Sequence, residues 1–381
     1  MSAIRLLALL LVCLAMVNAV VHKIQTQHHA LSGKHSKHLF GRASLRQQQL
    51  YRRKVGMQAS VGKLPLQHLN YLTIGTITVG TPPQTFNVEV DAFYENELMV
   101  IDVNANLSSV SKTVPEKSTY NAEKSSTYVA VNGNASAWGM KAHKAQDVLN
   151  IDSVSGTVKS FLVADKVPYF INYYPVDGLL GLSPSKKSYF NVSIVSDDLV
   201  TLGAEDSDNC QSTWSYVPSL KYYASSPFTV HASSAEVTIG GQLTTVNLDA
   251  NVTFMSWPAL DVSYAAKDLF VNGTGAIYNE SVGYYTIDCD TTKAPLITLN
   301  LGGVGNSTDS TSQKLVLSGA DYIRSWKSMG VCYLGVNFYR GNGMWYLGSQ
   351  VLNNHCISFN YKERTVGFAD SKTPKTDVTA Y

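Results

Sequence analysis

Two aspartates stand in nearly the same short context. Asp91 lies in Phe86-Asn87-Val88-Glu89-Val90-Asp91-Ala92-Phe93, and Asp249 lies in Thr245-Val246-Asn247-Leu248-Asp249-Ala250-Asn251. Each is followed far downstream by an apolar pair and a glycine, Leu179-Leu180-Gly181 for the first and Tyr346-Leu347-Gly348 for the second. Two carboxylates brought together at a lobe interface cannot both ionise, and they hold one water between them. The chemistry open to such a pair is general acid–base catalysis, one group taking a proton while the other gives one. Such a pair titrates as a unit, so neither role belongs to one residue.

A pattern met twice implies two similar lobes to position it, and 381 residues suffice to bury a large core in two domains. The body reads as all-β. Tyr71 to Val79 alternates apolar and polar residues and runs into the turn Gly80-Thr81-Pro82-Pro83. Further β-rich runs are Phe228-Thr229-Val230-His231, Glu236-Val237-Thr238-Ile239, Tyr284-Tyr285-Thr286-Ile287 and Thr365-Val366-Gly367-Phe368-Ala369. Helical periodicity is confined to short stretches such as Ala320 to Trp326.

The first residues read as a leader. Arg5 precedes an apolar run from Leu6 to Val17, and Val17-Asn18-Ala19 offers a small residue for cleavage, so residues 1–19 are expected to be a signal peptide. No later stretch approaches the roughly 18 apolar residues that a membrane-spanning helix requires, so a secretory, extracellular or lysosomal protein with no membrane span is expected. Charge is split by position: the first acid in the chain is Glu89. Residues 1–68 hold ten of the 30 Lys and Arg and six of the nine His, which leaves 20 bases against 28 acids downstream. A basic segment behind a signal peptide is no nucleic-acid arm; it reads as an electrostatic mask over an acidic body, released when carboxylates protonate. Arg52-Arg53-Lys54 within it is a candidate processing site.

Of five cysteines, Cys13 lies in the apolar leader, leaving Cys210, Cys289, Cys332 and Cys356 with three possible connectivities. No cysteine spacing resembles a zinc knuckle, and no cofactor is implied.

From about residue 69 to 370 the chain resembles the pepsin-like aspartic proteases, a bilobal all-β family with a central cleft. The carriers are the Gly80-Thr81-Pro82-Pro83-Gln84 turn, Lys124-Ser125-Ser126-Thr127-Tyr128 before the expected flap, and Asp177-Gly178-Leu179-Leu180-Gly181-Leu182. In the second half they are Asp249 to Pro258, Cys289 after its Tyr-Thr-Ile strand, Trp345-Tyr346-Leu347-Gly348, and Thr365 to Ala369. The resemblance implies a propeptide over 20–66, lobes over 67–222 and 223–381, and catalytic Asp91 and Asp249. It also implies a propeptide lysine facing them, with Lys54 and Lys63 both candidates, and disulfides Cys289–Cys332 and Cys210–Cys356. The implied partner is a peptide or protein in the cleft of a monomer, under a flap whose tip is Trp138-Gly139.

The loops depart from the family's Asp-Thr-Gly. Here they read Asp91-Ala92-Phe93-Tyr94 and Asp249-Ala250-Asn251-Val252. Alanine at 92 and 250 removes the threonine brace that holds such carboxylates coplanar, and Phe93 and Asn251 replace glycines where backbone passes close beneath them. Trp138 replaces the flap tyrosine, and the flap is shorter than the family's. Asn-x-Ser/Thr acceptors stand at Asn106, Asn134, Asn191, Asn272, Asn279 and Asn306, with a seventh at Asn251 inside the second loop. Two functions follow: an acid endopeptidase made as a zymogen, or an inactive relative that binds peptides or proteins in its cleft.

Overall fold

The computed structural model describes residues 61–69, 72–95, 98–107, 117–137, 139–168, 171, 174–183, 192–196, 199–204, 206–220, 228–239, 242–254, 260–302, 313–326, 329–340, 343–375 and 379–380. The expected signal peptide, most of the propeptide with Lys54, Trp138, Asn191 and Asn306 lie outside the described residues, as does the side chain of Asn106.

The first lobe contains β1 (Gly62–Leu69), β2 (Leu72–Val79), β3 (Gln84–Glu95), β4 (Leu98–Leu107), β5 (Val129–Ala137), β6 (Met140–Ile151), β7 (Val154–Val167) and β8 (Gly178–Ser183). Then come β9 (Val192–Ser196), β10 (Leu199–Leu202) and β11 (Ser215–Pro218). The second lobe contains β12 (Val230–Ile239), β13 (Gln242–Phe254), β14 (Leu260–Ser263), helix α1 (Lys267–Thr274), β15 (Ile277–Asn279), β16 (Tyr284–Ile287), β17 (Ile297–Leu301) and β18 (Gln313–Leu317). Helix α2 (Gly319–Tyr322), β19 (Ile323–Trp326), β20 (Val331–Leu334), β21 (Val336–Tyr339) and β22 (Met344–Leu347) follow. The chain closes with β23 (His355–Asn360), β24 (Thr365–Asp370) and β25 (Thr379–Ala380).

The strands form because their sequences fit a pleated surface. Along β2, Ile77 and Val79 point into the core while Thr76 and Thr78 face outward, each β-branched. The helical reading of Ala320 to Trp326 is corrected: α2 ends at Tyr322, and Ile323 to Trp326 pair with β20 instead. That stretch is too short for helical periodicity to be decisive, and its β-branched start and cross-strand partners prevail.

Each lobe is built on the same crossing. β3 runs parallel to β8, and β8 runs antiparallel to β4, so β8 lies between two strands that are consecutive in sequence. In the second lobe β22 lies in the same way between β13, parallel to it, and β14, antiparallel. Both crossings are entered by an antiparallel hairpin, β2–β3 or β12–β13. In both, the outer strand continues into a parallel neighbour, β4 to β7 and β14 to β21.

A six-stranded antiparallel platform, β1-β10-β9-β23-β24-β11, joins the lobes with strands from both ends of the chain. Aromatic rings pack on it: Phe228 stacks on Phe359 at 5.0 Å, and Phe254 meets Phe368 at 5.6 Å. The Tyr361 hydroxyl donates to the Leu182 carbonyl at 2.5 Å, tying the platform to β8. One continuous core runs from Leu64 to Phe368. The disulfides are Cys210–Cys356 and Cys289–Cys332, with Cα atoms 5.9 and 5.2 Å apart.

β1 spans the expected propeptide boundary at 66/67, with Leu64 and Leu66 both buried. Lys63 does not face the aspartates: its ammonium pairs with Asp208 at 2.8 Å, which raises its pKa. Among the described residues, no helix is long and apolar enough to cross a membrane.

Candidate functional site

Asp91 lies on β3 opposite Gly181 and is 2% exposed. The preceding pair, Val90 with Leu180, and the pairing of Leu98 with Leu180 on the other side locate the crossing. The ladder then slips between Asp91 and Glu95, where the loop leaves the sheet. Downstream, Gly178 is obligatory, because a Cβ there would lie 2.0 Å from the Met99 carbonyl oxygen of β4. Asp177 is structural: its carboxylate accepts the Asn87 and Ser118 amides, each at 2.8 Å. Burial raises its pKa against the pull of those bonds.

Asp249 has a different setting. It sits in a bulge of the β12–β13 hairpin, where Leu248 and Asp249 together face Ser233, and its φ is +43°. Aspartate tolerates that left-handed conformation better than most residues. Its side chain is 98% exposed and pairs with His231 Nε2 at 3.0 Å. Ala250 is buried across from Ala232 as an ordinary hairpin residue. Asn251 lies half-buried in the same strand, its N–H donating to the Gly343 carbonyl at 2.9 Å.

The register of the two crossings relates the second lobe to the first. Phe254 pairs with Leu347, and Asp261 lies opposite Tyr346. Leu347 therefore answers to Leu180 and Phe254 to Val90. The ladder is described as far as Phe254, and residues 255–259, beginning with Met255, lie outside the described residues. The structure thus does not bring Asp91 and Asp249 to matching positions: Asp91 is buried at its crossing, and Asp249 faces solvent further back along the hairpin.

The lobe junction beside Asp91 agrees with this register. Val90, Ala92 and Leu182 from the first lobe and Phe254, Leu347 and Gly348 from the second line one small void of about 30 Å³. Neither Asp249 nor Ala250 lines it. Ala92 presents only a methyl group there.

The expected flap falls on the β5–β6 hairpin, which is closed between Ala137 and Met140. Gly139 occupies its turn with φ +72°, a conformation that favours glycine. Of the glycan acceptors, Asn134 on this hairpin and Asn272 on α1 are exposed, and Asn279 is half-buried. The sequence reading took Asp249 as the second carboxylate from its repeated Asp-Ala dipeptide and from the family resemblance, neither of which carries strand register.

The profile described as eukaryotic aspartyl protease matches residues 71–208 and 189–371. The chain is 27% identical to aspartic protease 1 of Caenorhabditis elegans, with 97% of this chain and 98% of that protein aligned. It is 26% identical to human cathepsin D, over 81% of this chain and 84% of the relative. It is 25% identical to dog pepsin A, over 79% and 82%. With both crossings, the platform and the match over most of its length in agreement, the chain belongs to the eukaryotic aspartyl protease family.

Proposed function

We propose that this chain is a catalytically inactive member of the family whose cleft binds a peptide or protein segment without cutting it. The observation that carries this reading is that Phe254 pairs with Leu347 as Val90 pairs with Leu180, from which we infer that the next residue in sequence, Met255, stands where the second carboxylate would be. A thioether neither takes nor gives a proton, so on this reading a water held by Asp91 would meet no second carboxylate. Losing that partner forfeits about 10²–10⁴-fold from acid–base catalysis alone. Ala92 at the void adds to the case, since no hydroxyl there braces the loop.

What remains fits binding. On this reading the peptide lies between the two lobes and under the β5–β6 hairpin, as the family resemblance implies, and an extended segment there would add backbone hydrogen bonds. The expected signal at residues 1–19 and the two disulfides fit a secretory route, extracellular or lysosomal, and a monomer. On this reading the basic leader serves folding and solubility rather than the masking of a protease.

A direct test incubates the purified protein at about pH 4 with a pool of unstructured peptides and identifies the retained species by mass spectrometry. Intact peptides, retained less by Trp138→Ala, support the reading. Cleaved peptides overturn its inactive half, and no retention above an unrelated protein overturns its binding half.

A further inference from the structure

Outside these loops, three side chains with metal-binding atoms converge on the first lobe: Asp102 on β4, His143 on β6 and Asp165 on β7. The sequence pattern makes them conspicuous. Leu98 and Val100 on β4, Phe161 and Val163 on β7, and Ala145 on β6 all point into the main core. Side chains alternate along a strand, so Asp102, Asp165 and His143 continue those apolar rows at the rim. Ile101 pairs with Ala164, and His143 with Val163, which brings all three to the same level of the sheet.

Their donor atoms all lie within 4.8 Å of one another, with His143 Nδ1 and Asp165 Oδ1 2.8 Å apart. Asp102 is only 9% exposed, and its Oδ1 accepts the Asn104 amide at 2.6 Å. Among the described residues no lysine or arginine pairs with Asp102 or Asp165; the ion-pair partner is His143 alone. Two neighbouring carboxylates, one nine-tenths buried, repel each other and lack a matching positive charge.

We propose that Asp102, His143 and Asp165 bind a divalent transition-metal ion, Zn²⁺ in the first instance. One imidazole with two carboxylates is a donor set suited to Zn²⁺, whose charge the carboxylates balance, whereas Mg²⁺ and Ca²⁺ favour all-oxygen shells. Zn²⁺ holds its donors about 2.0–2.2 Å away, hence about 3.3 Å from one another, and water completes the tetrahedron. His143 and Asp165, 33% and 54% exposed, have room to rotate by the little this requires, while Asp102 is the fixed anchor. The ion would clamp β6, which carries one arm of the flap hairpin, to β4 and β7. This role does not depend on whether the cleft is catalytic.

The test uses the full-length protein stripped with a chelator and re-equilibrated with Zn²⁺ at about pH 7.5, where imidazole ligands are neutral. Bound metal is counted by mass spectrometry, and thermal unfolding is followed with and without the ion. Six histidines in residues 1–68 add weak binding of their own, so the difference between variants is the readout. We expect His143→Ala to hold about one equivalent less than the wild type and to lose a Zn²⁺-induced Tm rise of about 2–4 °C. Asp165→Asn, a near-isosteric change at a half-exposed position, should behave alike and carries the test if His143→Ala fails to fold. His28→Ala/His29→Ala in the leader should keep the full rise. Equal metal content and equal Tm rise in wild type, His143→Ala and Asp165→Asn would overturn the site, and an equal rise with Mg²⁺ would overturn the choice of ion.

Discussion

Where β3 passes beside β8 the chain carries a buried aspartate, whereas at the matching crossing of β13 and β22 it carries Phe254 followed by Met255. The two crossings also differ one step earlier. In the first, Gly178 lets β8 approach the β4 backbone; its counterpart by register in the second is Trp345, fully buried, whose Nε1 donates to Ser263 at 3.1 Å. Main-chain ladders hold the shared topology, and they accept either filling. Catalysis is less tolerant, because it needs one particular side chain on each side. On the function proposed above, the family frame persists while one half of its acid pair is replaced.

The comparison breaks if the platform does not set the relation of the lobes. Removing the Cys210–Cys356 bond, which spans 146 residues, should cost about 5 kcal/mol in the chain-entropy picture, against about 4 kcal/mol for Cys289–Cys332, which spans 43. Denaturant unfolding of the two double-alanine variants measures the order. Next, Trp345→Ala should destabilise by about 3–5 kcal/mol through the cavity it leaves. Gly178→Ala should cost about 3 kcal/mol through overlap with the Met99 carbonyl. If either proves neutral, that crossing is not packed as described.

Ionisable groups of the second lobe sharpen the contrast through stability. Burial disfavours charge on His355, yet Asp370, Asp321 and the Val316 carbonyl together raise its pKa above 6.5. Its stabilisation is therefore full below 6.5 and lost as pH rises through the raised value. The same ion pair lowers the pKa of Asp370, whose share is present above 3.8 and lost as pH falls through the lowered value. Asp370→Asn should thus lower Tm at pH 5.5 and have less effect at pH 8.5. Asp370 is largely exposed, which limits the effect to about 1 kcal/mol or less. The smallest change is expected at Asp249→Asn, below about 0.5 kcal/mol, since the carboxylate that pairs with His231 stands in solvent and the asparagine amide can still hydrogen-bond the ring.

The fold was legible in the sequence where geometry dictates residue type. Gly178 at the close strand approach and the paired cysteines are such places, and the cysteines pair as the family resemblance implied. Of the two expected carboxylates, Asp91 lies buried at a crossing and Asp249 lies on the hairpin before one. Asp249 was read as the second carboxylate because Asp-Ala repeats Asp91-Ala92, but its aspartate answers to a bulge with positive φ, not to a crossing. Strand register, which separates these cases, appears only when β13 and β22 are seen paired. The Asp102, His143 and Asp165 cluster was hidden for the same reason, its members being spread over three strands.

The most direct measurement is cleavage of a quenched peptide or denatured haemoglobin at pH 3–4 by the wild type, Asp91→Asn and Asp249→Asn proteins, prepared alike and with the leader removed. We expect all three to give the same background rate. Proteolysis by the wild type that disappears in both Asp91→Asn and Asp249→Asn would contradict the assignment of Met255 as the partner of Asp91 and restore the two aspartates as a working pair.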